Sequence, residues 1–261
     1  MNIDRDAIAS RLLGTPLVLL LDIDGTISPI APRPADATVL PVALDALRSL
    51  VRSDGVVVGL VSGRMADDVR RLVRIEPVWI IGNHGAEIFS PDGRETVEPS
   101  VAAFEAEIAA ARRSLEASGV AVENKRWTLT VHYRATGIEP REIVSRVAAE
   151  HGLVMVTGKK VLELRPPVTV NKGTAAVALV ERIGGFAEGA SILYAGDDAT
   201  DEDAFRALRD RAPCAVTLHV AGEGSPTTCA VRIHHWSSRP VYEETRPDLC
   251  LIDGVSFGLL H

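Results

Sequence analysis

The stretch Leu17–Leu21 followed by Asp22-Ile23-Asp24-Gly25 limits the fold more than any other part of the chain. Five consecutive aliphatic residues leave no polar face. A strand made from them must be covered on both sides, which is the condition of a central strand in a parallel sheet with helices on each face. The run then turns abruptly acidic. Asp22 and Asp24 are two apart, so on a strand they lean to the same side, and Gly25 lets the chain turn away sharply. The run is too short for a signal peptide, follows an acidic N-terminus and ends in two carboxylates, so a buried strand explains it better than an export or membrane segment.

The rest of the chain extends that expectation. Apolar residues at helical spacing over 39–52 are followed by a second buried strand at 56–61, a helix over about 65–73 and a third strand at 78–81. This order implies a parallel sheet with helices on both faces. The pattern then changes: a hairpin of 86–90 with 95–97 around Pro91-Asp92-Gly93, a long helix over 101–118, strands at 120–124 and 128–133, a helix over 140–151, and strands at 154–157 and 161–165. Such a mixture reads as a separate α+β module inserted into the sheet domain. The α/β rhythm returns after Pro166-Pro167, with helices at 172–183 and 201–209 and strands at 191–194 and 214–220. The expected division is therefore 1–92 with 167–261 as the core and 93–166 as the insert.

Hydrophobic residues make up 46 % and charged residues 24 %, the balance of a soluble globular chain. A net charge of −7 offers no broad basic surface for nucleic acid. An anionic substrate would have to be held by a local cation cluster and a metal. Cys214, Cys229 and Cys250 are odd in number and match no zinc spacing, which points to reduced thiols packed as small hydrophobes in a cytoplasmic protein.

Four segments at predicted strand ends carry the chemistry, and ligands of open parallel sheets bind outside those ends. The first supplies Asp22 as a nucleophile that would form an aspartyl-phosphate, with Asp24 as general acid and then base. The second is Ser62-Gly63-Arg64, where Ser62 would open a helix and favour an anion, or serve only as a helix cap. The third is Asn171-Lys172-Gly173-Thr174. A lysine at a helix N-terminus opposes the helix dipole unless a phosphate is shared there, the alternative being a solvated surface lysine. The fourth is Gly196 to Asp203. Thr200 with Asp203 fits a capping box, but Asp197 and Asp198 lie before it and suit a hard cation such as Mg²⁺.

These segments, in this order, resemble the haloacid dehalogenase (HAD) superfamily of phosphohydrolases, with a Rossmann-like parallel-sheet core and an inserted α/β cap of the C2 type. The resemblance implies Asp22 as nucleophile, Asp24 as acid/base, and Ser62, Gly63 and Lys172 around the phosphate. It places Mg²⁺ on Asp22, Asp24 through its carbonyl, Asp197 and Asp198, with Asp201 as a support. Within the superfamily the chain is most similar to the trehalose-6-phosphate phosphatase family. The segments that carry this are 196–205, Gly82-Asn83-His84-Gly85, Glu123 to Arg134 and Gly158–Pro166. By that resemblance Arg64, Glu123, Lys125, Arg134, Lys159 and Glu163 bind the substrate. It further implies a cytoplasmic monomer, away from membranes and nucleic acid, paired in function with a trehalose-6-phosphate synthase. His84 is expected to be a packed or turn residue with no proton-transfer role.

Several readings stay open on sequence alone. Glu123, Lys125 and Arg134 could be solvated cross-strand pairs. The substrate could be another sugar phosphate, such as sucrose phosphate or mannosyl-phosphoglycerate. A phosphosugar mutase would keep the core residues and need a bisphosphate activator. A sugar-phosphate sensor would not require both Asp22 and Asp24. The tail beyond Val220 departs from the family pattern.

Overall fold

The computed structural model describes residues 5–31, 33–133, 140–158, 160–221 and 231–234. The elements follow in the order α1 (Arg5–Arg11), β1 (Leu17–Asp22), α2 (Pro41–Leu50), β2 (Val56–Val61), α3 (Ala66–Val73), β3 (Trp79–Gly82), β4 (Glu87–Phe89), β5 (Glu95–Val97), α4 (Pro99–Ala102), α5 (Glu105–Ala117), β6 (Glu123–Asn124), β7 (Leu129–His132), α6 (Arg141–Glu150), β8 (Val154–Gly158), β9 (Val161–Arg165), α7 (Lys172–Arg182), β10 (Ser191–Gly196), α8 (Asp201–Arg211), β11 (Val216–Ala221) and β12 (Val231–His234). Among the described residues no helix is long and apolar enough to cross a membrane.

Among the described residues, eight strands form one sheet in the order β12-β11-β10-β1-β2-β3-β4-β5. The pairings from β12 through β3 are parallel, and β4 returns antiparallel to β3. The continuous apolar run of β1 has the consequence foreseen for it. Leu19, Leu21 and Ile23 enter one core with Leu47 of α2 and Val69 and Val73 of α3. Val18 and Leu20, alternating with them, enter a second core with Ala176 and Leu179 of α7 and Phe205 and Leu208 of α8. Each of these buried Val, Leu, Ile and Phe side chains contributes about 1.5–3 kcal/mol. β1 has β2 on one side and β10 on the other, so successive connections diverge at it. That divergence is the switch point at which open α/β sheets bind ligands.

Thr96–Val170 forms a second compact unit, and Met1–Glu95 with Asn171–His261 forms the first. The boundaries expected from sequence lie a few residues earlier. The second unit has its own sheet, β6-β7-β9-β8, with antiparallel pairings. Its core joins Leu129, Val131, Leu162 and Leu164 of that sheet to Ile108 and Leu115 of α5 and Val144 and Val147 of α6.

Some expectations need correction. The single helix over 101–118 is two, because Phe104 leaves helical geometry (φ −101°, ψ 12°) and packs against the second unit's core. The strand at 120–124 pairs only over Glu123–Asn124. The strand at 214–220 starts at Val216, since Cys214 lies in a turn before it, exposed instead of packed. Cys229 and Cys250 lie outside the described residues. β12 was not expected.

Candidate active site at the end of the central strand

Asp22 closes β1 and is only 4 % exposed. Its register partner on β2 is Val61, and on the other side Leu21 is level with Ala195 of β10. The sheet therefore brings Ser62, one residue past Val61, and Asp197, one residue past Gly196, to the same end as Asp22.

Lys172 is not a surface lysine. It is the first residue of α7 and 2 % exposed, and its Nζ donates to Asp22 Oδ1 at 2.7 Å and to Asp201 Oδ1 at 2.8 Å. Asp198 Oδ1 is farther, at 3.7 Å. Burial alone would lower the ammonium's pKa, but Asp22 and Asp201 outweigh it and hold it above the ordinary lysine value. The helix start that presents Lys172 is sealed by a capping box that sequence reading did not pick out. Asn171 Oδ1 accepts from Thr174 N at 2.9 Å and Thr174 Oγ1 accepts from Asn171 N at 3.1 Å.

Asp24 is turned to another cation. Arg64 grips its carboxylate with Nε at 2.6 Å and Nη2 at 2.7 Å, while Nη1 donates to the Pro34 carbonyl at 2.9 Å. Arg64, expected at the substrate, thus has its fork on the Asp24 carboxylate. Gly25 takes φ +95°, and a Cβ there would sit 1.9 Å from Asp197 Oδ2. A side chain at that position would collide with the Asp197 carboxylate, so the glycine permits both the turn and the close approach.

Ser62 is buried but does not open a helix. α3 begins at Ala66 with Met65 at its N-cap. Ser62 Oγ instead accepts from Arg64 N at 3.1 Å, and its carbonyl accepts from His84 N at 3.0 Å. The reason is Glu87, a buried carboxylate from β4 that accepts from Ala66 N at 2.7 Å and Asn83 Nδ2 at 3.0 Å, taking over the helix cap. Gly63 lies under the His84 ring, where a Cβ would come within 2.5 Å of it. Glu87 was missed from sequence because its target, Ala66 N, lies 21 positions away in the chain.

The acidic segment also sorts differently. Thr200 makes no capping bond through its side chain. Asp198 Oδ1 accepts from Thr200 N at 2.8 Å, Thr200 Oγ1 at 2.7 Å and Asp201 N at 3.1 Å. Asp198, expected among the metal ligands, spends that oxygen on the start of α8. Burial works against its ionised form, yet Lys172 and the Thr200 donors keep its pKa below the usual carboxylate range. Asp201, read as a support, is wholly buried. Its Oδ1 accepts from Lys172 and from Tyr194 Oη at 2.7 Å, and its Oδ2 accepts from Asp197 N and Asp198 N at 3.1 Å each.

One carboxylate oxygen from each of Asp22, Asp197 and Asp201 lies within 4.8 Å of the others. Burial, then the neighbouring Asp198 and Asp201, push the Asp197 carboxyl up to about 7. Burial likewise raises Asp22, with Lys172 opposing and Asp201 and Asp197 adding to the rise. Carboxylates so crowded that they resist ionisation suit a hard divalent cation, because an all-oxygen donor set with excess negative charge is what Mg²⁺ takes. Asp201 has its acceptor positions filled, which leaves Asp22 and Asp197 as the carboxylates able to turn toward a cation.

In the second unit Glu123 of β6 and Glu163 of β9 both face Thr130 of β7 in register, so the three lie in one row across the sheet. The opposite face holds Leu129, Val131, Leu162 and Leu164 and packs on the helices. Glu123 Oε2 pairs with His132 Nε2 at 2.6 Å, and Glu163 pairs with Arg165 at 2.5 Å. Lys125 N donates to Thr128 O, closing the turn after β6. Arg134 and Lys159 lie outside the described residues.

A sequence model described as Trehalose-phosphatase matches residues 20–236. An uncharacterized glycosyl hydrolase of Mycobacterium tuberculosis (strain ATCC 25618 / H37Rv) is 38 % identical over 210 residues, which cover 76 % of this chain and 16 % of that protein. The trehalose-phosphate phosphatase of the same strain is 32 % identical over 237 residues, 86 % of this chain and 59 % of that protein. The chain thus spans about a sixth and about three-fifths of the lengths of these relatives. The C-terminal domain of Candida albicans trehalose-6-phosphate phosphatase superposes with a TM-score of 0.69 at 21 % identity, covering 89 % of this chain and 92 % of that one. A haloacid dehalogenase-like hydrolase from Bacteroides thetaiotaomicron superposes at 0.55 with 14 % identity over 79 % of this chain and 89 % of that one, sharing the HAD fold.

Proposed function

We infer, since the chain belongs to the trehalose-phosphatase family, that it removes the phosphate from trehalose 6-phosphate through an aspartyl-phosphate on Asp22. The observation that supports this most is the buried contact of Asp22 with Lys172 at the end of the switch-point strand, with the Asp197 carboxylate at the same end.

Asp22 attacks phosphorus through a carboxylate oxygen. The bond to the sugar oxygen breaks as the new P–O bond forms, and Asp24 gives a proton to the departing sugar. Asp24 then takes a proton from water, whose oxygen attacks the phosphorus and frees inorganic phosphate and Asp22. Lys172 uses two of its three N–H donors on Asp22 and Asp201, which leaves the third for a phosphoryl oxygen. The Ser62 hydroxyl and the Gly63 N–H supply further donors to the equatorial oxygens, and fixed donors of this kind are most of what phosphoryl transfer requires. Arg64 holds both Asp24 oxygens here, and one of them leaves the guanidinium when Asp24 carries the proton it gives to the sugar. Asp22, Asp197 and the Asp24 carbonyl would hold Mg²⁺, which would supply charge neutralisation at the phosphoryl group when bound. Glu123, Lys125 and Glu163 select the sugar, carboxylates accepting from hydroxyls and the ammonium donating.

Phosphate release from a panel of sugar phosphates, with Mg²⁺ or chelator, for the native chain and Asp22→Asn, tests this reading. Release from trehalose 6-phosphate well above the other esters, lost with chelator and in Asp22→Asn, is the expected result. Metal-dependent release from a different sugar ester would overturn the substrate, and activity surviving in Asp22→Asn would overturn the nucleophile.

A further inference from the structure

Tyr194 has no part in the reaction as described, and its place in the core is costly to explain by packing alone. It lies in β10, and among the described residues it is the largest side chain that is fully buried. Its surroundings are hydrocarbon: Val18, Leu20, Ala204 and Phe205 belong to the same cluster, and its ring meets Phe205 edge-on at 5.6 Å. A phenylalanine would fill this space without having to desolvate a hydroxyl. The Tyr194 hydroxyl has one strong partner, Asp201 Oδ1, at 2.7 Å.

Asp201 is where the contact gains meaning. A carboxylate offers about four acceptor positions, and here four donors reach it: Tyr194 Oη, Lys172 Nζ, and the main-chain N–H groups of Asp197 and Asp198. One face of the group sets the ammonium beside Asp22, and the other sets the backbone from which Asp197 projects. Of the two side-chain donors among the four, Lys172 also reaches Asp22, whereas the phenol touches none of the groups acting on phosphate or cation except through Asp201. Burial and the neighbouring Asp201 raise its pKa well above the usual phenol value, so it stays a donor at every working pH.

We propose that Tyr194 is a positioning residue: its hydroxyl holds the Asp201 carboxylate in the orientation that keeps Lys172 beside Asp22 and Asp197 aimed at the cation. This rests on the reading of Asp22, Lys172 and Asp197 given above. With the hydroxyl gone, Oδ1 has an open acceptor position and only the ammonium to fill it. Lys172 is drawn toward Asp201, and the carboxylate can rotate away from the two N–H donors. Removing an outer partner of this kind costs on the order of 10–100-fold in metal affinity or activity.

Tyr194→Phe in the full chain is the test, with Mg²⁺ affinity measured by calorimetry in the absence of substrate and kcat and KM measured with trehalose 6-phosphate. The variant is expected to bind Mg²⁺ about tenfold or more weakly and to lose kcat by a similar factor, while KM stays near the native value. In Asp201→Asn the same Tyr194→Phe change should weaken Mg²⁺ binding no further, because the group through which it acts is already altered. Phe205→Leu is the packing control: it disturbs the same ring contact but keeps the hydroxyl, and should leave Mg²⁺ affinity near native. Unchanged Mg²⁺ affinity in Tyr194→Phe, an undiminished effect in the Asp201→Asn background, or an equal loss in Phe205→Leu would each overturn the proposal. A native chain that releases no phosphate would sink the proposed function, yet the calorimetric comparison would still decide the role of Tyr194.

Discussion

Lys172 is the residue on which the site's charge balance turns. It is a buried ammonium between two buried carboxylates, and removing one partner of such a cluster exposes the others to the full cost of burial. Lys172→Met is therefore expected to lower the stability of the metal-free chain by about 3–5 kcal/mol, measured by urea unfolding. Saturating Mg²⁺ should recover part of that loss by supplying positive charge to the same carboxylates. Asp197 has the opposite sign of contribution. Its carboxyl is near 3.8 when unperturbed and is raised to about 7 in the folded chain. Between those values the folded state binds the extra proton, so the metal-free chain loses stability as pH rises from about 4 to about 7. Asp197→Asn removes this dependence. In chelator its Tm should match the native chain near pH 4 and exceed it by a few degrees at pH 8.

At the level of elements, the site depends on how helices begin. α7 starts with a capping box whose second residue is Lys172, so the cap and the buried ammonium are adjacent in the chain. Asn171→Ala should cost about 1 kcal/mol in denaturant unfolding and also reduce phosphate release, because a frayed first turn no longer fixes the lysine. α3 and α8 borrow their caps from carboxylates that a local reading assigns elsewhere. Glu87 reaches Ala66 from another strand, and Asp198 accepts from Thr200 N, the donor expected for Asp203, and from Asp201 N. The alternation of Val18 and Leu20 with Leu19 and Leu21 was legible because strand periodicity spans only a few residues. The break at Phe104 was not, because the core that attracts Phe104 is built from strands and helices that come later in the chain.

For the whole molecule, the two units have separate hydrophobic cores, one pair on either face of the eight-stranded sheet and one between the four-stranded sheet and its helices. A cavity made in one core should therefore stay local. Leu164→Ala is expected to destabilise the second unit by about 2–5 kcal/mol and leave Mg²⁺ affinity near native. Leu20→Ala, in the strand that ends at Asp22, should cost a similar amount and weaken Mg²⁺ binding as well. Hydrogen exchange resolved by segment, together with the calorimetric titration, distinguishes the two.

By itself the sequence determined that Leu17–Leu21 is a central strand, that carboxylates and a lysine gather at strand ends, and that an α+β module interrupts the sheet. Those properties follow from periodicity and from side-chain chemistry over a few neighbouring positions. Only the tertiary structure decided who holds whom. Asp22 meets Lys172 and Asp24 meets Arg64 because β10 and β2 flank β1. Asp201 collects Tyr194, Lys172 and two backbone N–H groups because the turn after β10 folds back on the start of α7. Hydrogen-bond partners such as Lys172 and Asp22, 150 positions apart in the chain, are set by strand order and packing, and no local pattern of residues encodes that order.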